Sequence, residues 1–294
     1  MKGIVLAGGA GTRLAPATTA VCKQLLAVYD KPMVYYPLTT LMSTGIREVL
    51  VISTPEDLEG YRRLLGDGGA WGMDIRYAVQ PSPGGLAEAL LIGEGFLDGD
   101  GCTLILGDNL FDAPALRESL AEAVRGAREG RATVFGVTVP DPWRFGVAVL
   151  DEEGAVKDLV EKPATYCSDL CMTGLYVYDA RGPVLAGGLS RSSRGELEIT
   201  DLNRAYLKDG TLRLVRLGPG DRWFDMGSPD SLLEAGLHVQ EAARAGRLLG
   251  VPEAEALRQG WITMEELDRL AESLPGPYGQ ALRRWAWEET SNGH

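Results

Sequence analysis

The sequence predicts an α/β protein in three layers, with helices on both faces of a mixed, mainly parallel sheet and a helical cap at the C-terminal end. Three observations predict it. Short apolar runs rich in β-branched residues alternate with helical patterns over the first two-thirds of the 294 residues. Glycine-rich or acidic turns follow several of those runs, where open parallel sheets bind ligands. From Leu232 onward the pattern is helical only. This is a Rossmann-like α/β/α arrangement, and its length allows one large domain or two small ones.

The predicted strands are Gly3–Leu6, Glu48–Ser53, Asp74–Gln80, Thr103–Leu106, Thr133–Val139, Val147–Leu150, Val156–Glu161 and Gly174–Tyr178. Helical patterns fall between them, at about Val34–Ser43, Tyr61–Leu65, Leu86–Ile92 and Ala115–Gly130. Thr200 or Asp201 would cap a further helix over Leu202–Leu207. The spacing of Leu232, Ala235, Leu237 and Val239, then Trp261–Ser273 and Gln280–Glu289, builds the cap. The expected division is therefore a core over 1–231 and a cap over 232–294. Pro275-Gly276-Pro277 reads as a loop inside the cap.

Composition excludes whole classes of function. A net charge of −12 with no basic stripe argues against nucleic acid as a partner. No run approaches the roughly 20 apolar residues of a membrane span. No basic-then-apolar leader precedes the first strand, which suggests a cytoplasmic protein. With only His238 and His294, neither histidine-based acid/base catalysis nor a zinc site at Cys167 and Cys171 is expected. Cys102 reads as a small core residue, and disulfides are not expected in this compartment. The acidity also sets a requirement. An anionic substrate would be repelled by the protein's field, so the site must carry its own cations or a metal.

The first predicted strand runs into Gly8-Gly9-Ala10-Gly11-Thr12-Arg13-Leu14. Such a turn lets backbone N–H groups converge on an anion with no Cβ in the way. No Gly-Lys pair occurs anywhere, so this is not a Walker loop. A dinucleotide fingerprint would need glycine where Leu14 stands, which undercuts a Rossmann dehydrogenase. Arg13 suits a polyphosphate, because its planar fork binds phosphate oxygens bidentately and stays charged. Lys23 would add a second cation. Asp108 closes the run Thr103–Leu106, and Asp225 sits in the apolar setting Trp223-Phe224-Asp225-Met226. A carboxylate there is costly unless paired or bound to metal, and two of them beside phosphate oxygens suit Mg²⁺. Lys162, in Glu161-Lys162-Pro163, could neutralise the phosphate of a second substrate, and Glu161 could accept from its hydroxyls. The run Gly195–Asp201 carries three acids and no base of its own, which points to a polyol ligand as well as to solvent.

These stretches carry a resemblance over nearly the whole chain. LAGGAGTRL matches the sugar nucleotidylyltransferase signature, YDKPMVYYPL, QPSPGGLA and GELEITD narrow it, and WFDMG is a further matching stretch. The sequence resembles the glucose-1-phosphate thymidylyltransferases. The resemblance implies a nucleotidyltransferase fold and a reaction in which α-D-glucose 1-phosphate attacks the α-phosphorus of dTTP in line, giving dTDP-glucose and pyrophosphate for deoxysugar biosynthesis. It implies Mg²⁺ as cofactor and a homotetramer. Carried over by motif, Gly8, Gly9, Gly11, Thr12 and Arg13 would hold the triphosphate with Lys23. Gln80 and Gly85 would read the thymine edge. Asp108 and Asp225 would bind Mg²⁺. Lys162 would bind the sugar phosphate, and Leu86, Phe145, Gly146, Glu161, Met172, Glu196 and Trp223 would line the hexose pocket.

The sequence also departs from the pattern the resemblance implies. Phe145 stands in place of the usual Tyr, Met226 of Thr, Cys22 of Ser and Ala27 of Pro. Leu110-Phe111-Asp112-Ala113-Pro114 and Gly218-Pro219-Gly220 differ where dTDP-rhamnose feedback would act, so weakened feedback is expected; inhibition by micromolar dTDP-rhamnose at sub-saturating substrate would show the reverse. A UTP-using or other-sugar enzyme is the nearest alternative. A catalytically silent nucleotide-sugar sensor is another, though it would not need a cation for each phosphate.

Overall fold

The computed structural model describes residues 1–9 and 11–292, with side chains through Glu288. In chain order the strands and helices are β1 (Lys2–Leu6), β2 (Ala27–Val28), β3 (Lys31–Pro32), α1 (Tyr35–Met42), β4 (Glu48–Ser53), α2 (Leu58–Leu65), β5 (Asp74–Val79), α3 (Glu88–Ile92), α4 (Glu94–Leu97), β6 (Cys102–Leu106), β7 (Asn109–Asp112) and α5 (Leu116–Arg128). They continue with β8 (Ala132–Thr138), β9 (Gly146–Leu150), β10 (Val156–Glu161), β11 (Leu170–Tyr178), α6 (Gly182–Gly187), α7 (Ile199–Lys208), β12 (Leu212–Arg216), β13 (Arg222–Asp225), α8 (Pro229–Arg244), α9 (Pro252–Arg258), α10 (Met264–Ser273) and α11 (Pro277–Asn292).

One mixed sheet organises them. Its order is β10-β9-β11-β6-β1-β4-β5, with β8 and then β12 paired outward from β11. The β6-β1-β4-β5 part is parallel throughout, as its helical crossovers require. Antiparallel pairing begins at β11, which is buried along its whole length because it lies between β6 and β8. Side chains alternate faces along each strand. Val5 and Ala7 face one core cluster with α1, α2 and α5; Ile4 and Leu6 face the other with α3, α6 and α7. The three layers follow from that alternation. Within the helices the buried residues keep helical spacing, as with Leu116, Leu120, Ala123 and Ala127 on α5.

Among the described residues the sequence pattern hides five strands: β2 and β3, which form a two-residue antiparallel pair, and β7, β12 and β13. β7 and β13 are short and pair with each other as a separate antiparallel ribbon, and β12 joins the sheet edge beside β8. No long apolar alternation announces them, so their pairing is a tertiary outcome. Helix α7 starts at Ile199 with Glu198 in the N-cap position, three residues before the expected start. Thr200 does not cap it; its hydroxyl donates to Glu161 Oε2 at 2.6 Å. Helix α8 also starts early, at Pro229, because Ser228 and Ser231 cap each other reciprocally and proline suits the first helical turn. Leu237, expected on the buried face, is 51% exposed.

The C-terminal helices share the main core. Val251, Ala254, Ile262, Leu267, Leu282 and Trp285 belong to the same buried cluster as Val34, Leu38 and Leu41 of the N-terminal half. Among the described residues, no helix is long and apolar enough to cross a membrane.

Candidate active site

A cleft of about 340 Å³ opens at the carboxyl ends of β1 and β6, where the parallel part of the sheet meets its antiparallel part. Strand register places its residues. β1 delivers Gly8 and Arg13 from the glycine loop, and β6 delivers Asp108. The loop turns because Gly11 sits in the left-handed region at φ 55°, where a Cβ would stand 2.9 Å from Thr18 Cγ2 and 3.3 Å from Lys23 Cβ. Thr18 Oγ1 donates to the Gly11 carbonyl at 2.9 Å and fixes the turn.

The two aspartates meet through the β7–β13 ribbon. Asp225 pairs with Asn109, and the Met226 amide donates to the Asp108 carbonyl at 3.0 Å. Both carboxylates are largely buried, at 12% and 16% side-chain exposure. Burial pushes the Asp108 carboxyl up, but the Lys23 ammonium bonded to it and the Asn109 amide 3.0 Å away outweigh that and hold it below the usual carboxylate range. Asp225 goes the other way. Burial raises it first and the Asp108 charge second, with Lys23, Arg13 and Arg144 offsetting only part. Like charges in one dry site produce this splitting. The Arg144 guanidinium donates to Asp225 Oδ2 at 3.1 Å, and the Arg13 guanidinium lies beside Gly227, two residues on, with Asp225 Oδ1 next to the same position.

Asn109 is the pivot of this arrangement. It is 1% exposed, and its Oδ1 accepts from Trp223 Nε1 at 2.6 Å and from the Gly174 amide at 2.9 Å. Trp223 in turn packs edge-on against Phe145, with ring centroids 5.4 Å apart. An aromatic wall is thus tied to the residue that directly follows Asp108.

The other end of the cleft is built for polar recognition. Gly146 lines it and leaves no room for a side chain, since a Cβ there would stand 2.7 Å from both Met172 Cε and Thr200 Oγ1. Lys162 takes a left-handed backbone at φ 42°, with its amide bonded to the Phe145 carbonyl at 3.0 Å, and its ammonium lies 3.6 Å from Glu161. The acids of Gly195–Asp201 do have a partner, contrary to expectation. The Arg194 guanidinium, one residue upstream, contacts Glu161 at 3.3 Å, Glu196 at 3.4 Å and Glu198 at 2.8 Å. The unpaired-acid reading fails because Arg194 folds back over the run that follows it.

The expected site residues converge with few exceptions. Gly8, Arg13, Gln80, Gly85, Leu86, Asp108, Phe145, Gly146, Glu161, Lys162, Met172, Glu196, Trp223 and Asp225 all line this cleft. Gly9 and Lys23 line a hollow that adjoins it across Gly8, Gln80 and Pro83. Gly11 and Thr12 stand just behind, shaping the turn. Sequence reasoning passed over Arg144, Arg194 and Asn109. Each lies next to a residue singled out from the sequence, so adjacency was the available signal.

A buried pair of carboxylates ringed by cations at the mouth of an α/β sheet is the site of a phosphate-handling enzyme, and comparison with known proteins agrees. The nucleotidyl transferase family profile matches residues 2–242. The chain is 52% identical over 283 residues to a glucose-1-phosphate thymidylyltransferase of Xanthomonas campestris pv. campestris, covering 96% of this chain and 95% of that one. It is 49% identical to the Neisseria meningitidis thymidylyltransferase (97% and 99% covered) and 46% identical to that of Mycobacterium tuberculosis (96% and 98%). Among solved structures, a Bacillus anthracis chain described as a glucose-1-phosphate thymidylyltransferase in complex with a sucrose matches with TM-score 0.76 and 36% identity, over 82% of this chain and 96% of that one. A UDP-glucose pyrophosphorylase complexed with UDP-glucose shares the fold, with TM-score 0.71 at 22% identity over 82% and 98%. The chain is a nucleotidyltransferase enzyme. Within that class it belongs to the glucose-1-phosphate thymidylyltransferase family.

Proposed function

We propose that this enzyme condenses dTTP with α-D-glucose 1-phosphate to give dTDP-glucose and pyrophosphate. The observation that carries the proposal is the distribution of cations along one cleft. Arg13 and Lys23 stand at the glycine loop, where a triphosphate would lie, and Lys162 stands about the hexose end. Two anionic substrates would each meet a cation, and the reaction needs charge neutralisation and alignment more than a protein base. A phosphate monoester is already anionic, which explains a site without histidine. Gly146, Glu161, Met172 and Glu196 would hold the hexose, while Gln80 and Gly85 would face the base.

The donor set also fits a metal. Asp108 and Asp225 supply hard oxygen donors side by side, with cleft volume beside them for phosphate oxygens. Bound there with the triphosphate, Mg²⁺ would help neutralise charge on the transferred group. Lys23 and Arg144, which now pair with those carboxylates, would be freed to meet phosphate oxygens. A homotetramer in the cytoplasm belongs to the same reading.

The test is pyrophosphate release from Mg²⁺, glucose 1-phosphate and each of dTTP, UTP, CTP and ATP in separate reactions. Fastest release with dTTP is expected. Equal or faster release with UTP would favour a uridylyl enzyme, and tight nucleotide-sugar binding with no turnover would favour a sensor.

A further inference from the structure

Gln80 lines the cleft beside the glycine loop, where the proposed function puts the base, and its primary amide has two faces of opposite hydrogen-bonding character. Which face meets the ligand decides which bases can bind. Gln80 Nε2 donates to Glu88 Oε2 at 2.8 Å and lies 3.3 Å from the Gly85 carbonyl. A carboxylate and a carbonyl are both acceptors only, so both demand the NH₂ on their side. Turning the amide over would set its oxygen against two oxygens. Oε1 therefore points the other way, toward the glycine loop, where it is the nearest atom to the position a Cβ on Gly8 would take, 3.5 Å off.

Glu88 is itself fixed. Arg191 Nη2 donates to Glu88 Oε1 at 2.9 Å, and Arg191 Nη1 donates to the carbonyls of Gly84 at 3.2 Å and Gly195 at 2.8 Å. The Leu197 amide closes the same loop by donating to the Gly84 carbonyl at 2.8 Å. The carboxylate that orients Gln80 is thus locked to the backbone that carries Gly85.

We propose that Glu88, held by Arg191, is a positioning residue for base selection. It fixes the Gln80 amide so that an acceptor, Oε1, faces the base. A base with an N–H at N3, thymine or uracil, is complemented there. Cytosine, whose N3 is an acceptor, meets oxygen with a lone pair and is rejected. The inference deepens the thymidylyl reading and rests on it.

The experiment compares kcat/KM for dTTP, dUTP and dCTP in the wild-type enzyme, Glu88→Leu and Glu88→Gln. Leu removes the charged acceptor at 2.8 Å and leaves only the longer contact to the Gly85 carbonyl, at 3.3 Å, to oppose a turn of the amide; Gln keeps an acceptor oxygen and serves as the conservative variant. The dTTP:dCTP preference is expected to fall at least about tenfold in Glu88→Leu and to be largely kept in Glu88→Gln. The dTTP:dUTP ratio is expected to stay constant, because the two bases share the N3–H and differ only in a methyl group. General damage would lower all three rates together and leave the ratios alone. An unchanged dTTP:dCTP ratio in Glu88→Leu, or a wild-type enzyme that uses dCTP as well as dTTP, overturns the proposal. If no triphosphate turns over, the thymidylyl reading fails. The same ratios, read as calorimetric dissociation constants, then decide on Glu88 separately.

Discussion

Asp225 shows at the scale of one residue why a group's role depends on what surrounds it. It is an ordinary aspartate in sequence, yet burial and the neighbouring Asp108 charge raise its pKa while three cations oppose them. Such a carboxylate gives little to stability and has reason to exist only if something cationic joins it. Asp225→Asn keeps the shape and hydrogen-bonding reach but removes the charge. Turnover is expected to fall by about a hundredfold or more, while the thermal midpoint holds or rises, since a like-charge repulsion is relieved. Pyrophosphate release and thermal unfolding, measured on the same preparation, check both halves. A midpoint that collapses would show the residue to be structural. Arg144 and Arg194 belong to this scale too. Their type and number are plain in the sequence, but which carboxylates they meet is not: Asp225 and Glu161 lie far along the chain from Arg144 and Arg194, and Glu196 and Glu198 are met only because Arg194 folds back over the run that follows it.

At the scale of elements, the β7–β13 ribbon does most to build the site, and it continues into a latch on α8 and the turn that follows it. Asp112, at the end of β7, accepts from His238 Nε2 at 2.8 Å and from both Arg247 Nη atoms at 2.9 and 3.0 Å. Burial raises the Asp112 carboxyl, but the Arg247 and His238 hydrogen bonds outweigh it and depress the pKa. A depressed folded pKa means that the ionised form favours folding. The contribution is complete above the ordinary carboxyl range near about 4 and is lost as pH falls through the folded value. Asp112→Asn is therefore expected to lower the thermal midpoint at pH 7 by about 2–8 °C, and by progressively less as pH falls below the ordinary carboxyl range. Melting curves from pH 7 down through that range test it; an equal loss at both ends would assign the effect to packing.

At the scale of the whole molecule, the C-terminal helices complete the core. Trp285 on α11 is 7% exposed, with Arg258 over its ring at 4.8 Å, and it shares a cluster with residues of α1. Tyr278 donates to Glu253 at 2.6 Å in a part-buried bond, and burial raises Glu253 toward its neutral form. A chain stopped after Arg244 would uncover that cluster, and exposed apolar surface on this scale drives aggregation. Such a truncated chain is expected to be insoluble or unfolded by circular dichroism, despite keeping every residue that lines the cleft. A folded, active truncation would show the cap to be dispensable. The strong net negative charge also acts at this scale, and it makes the local cations of the cleft necessary.

Much of this was legible in the sequence. The sheet's parallel part, most helices and the residues that line the cleft follow from period, turn chemistry and motif, because those signals are local: a strand buried on both faces must be apolar, and a phosphate loop must be glycine-rich. Resemblance to a family then assigned roles to residues such as Met172 and Trp223 that spacing alone could not. What only the tertiary structure decided is what depends on contact between distant segments. The short β7 and β13 strands exist because they pair with each other. Arg194 ceases to be a surface charge because three carboxylates converge on it, and Gln80 presents an oxygen because Glu88 and Gly85 claim its nitrogen. Local physics fixes what a residue can do; which of its options is used depends on partners that folding brings from elsewhere in the chain.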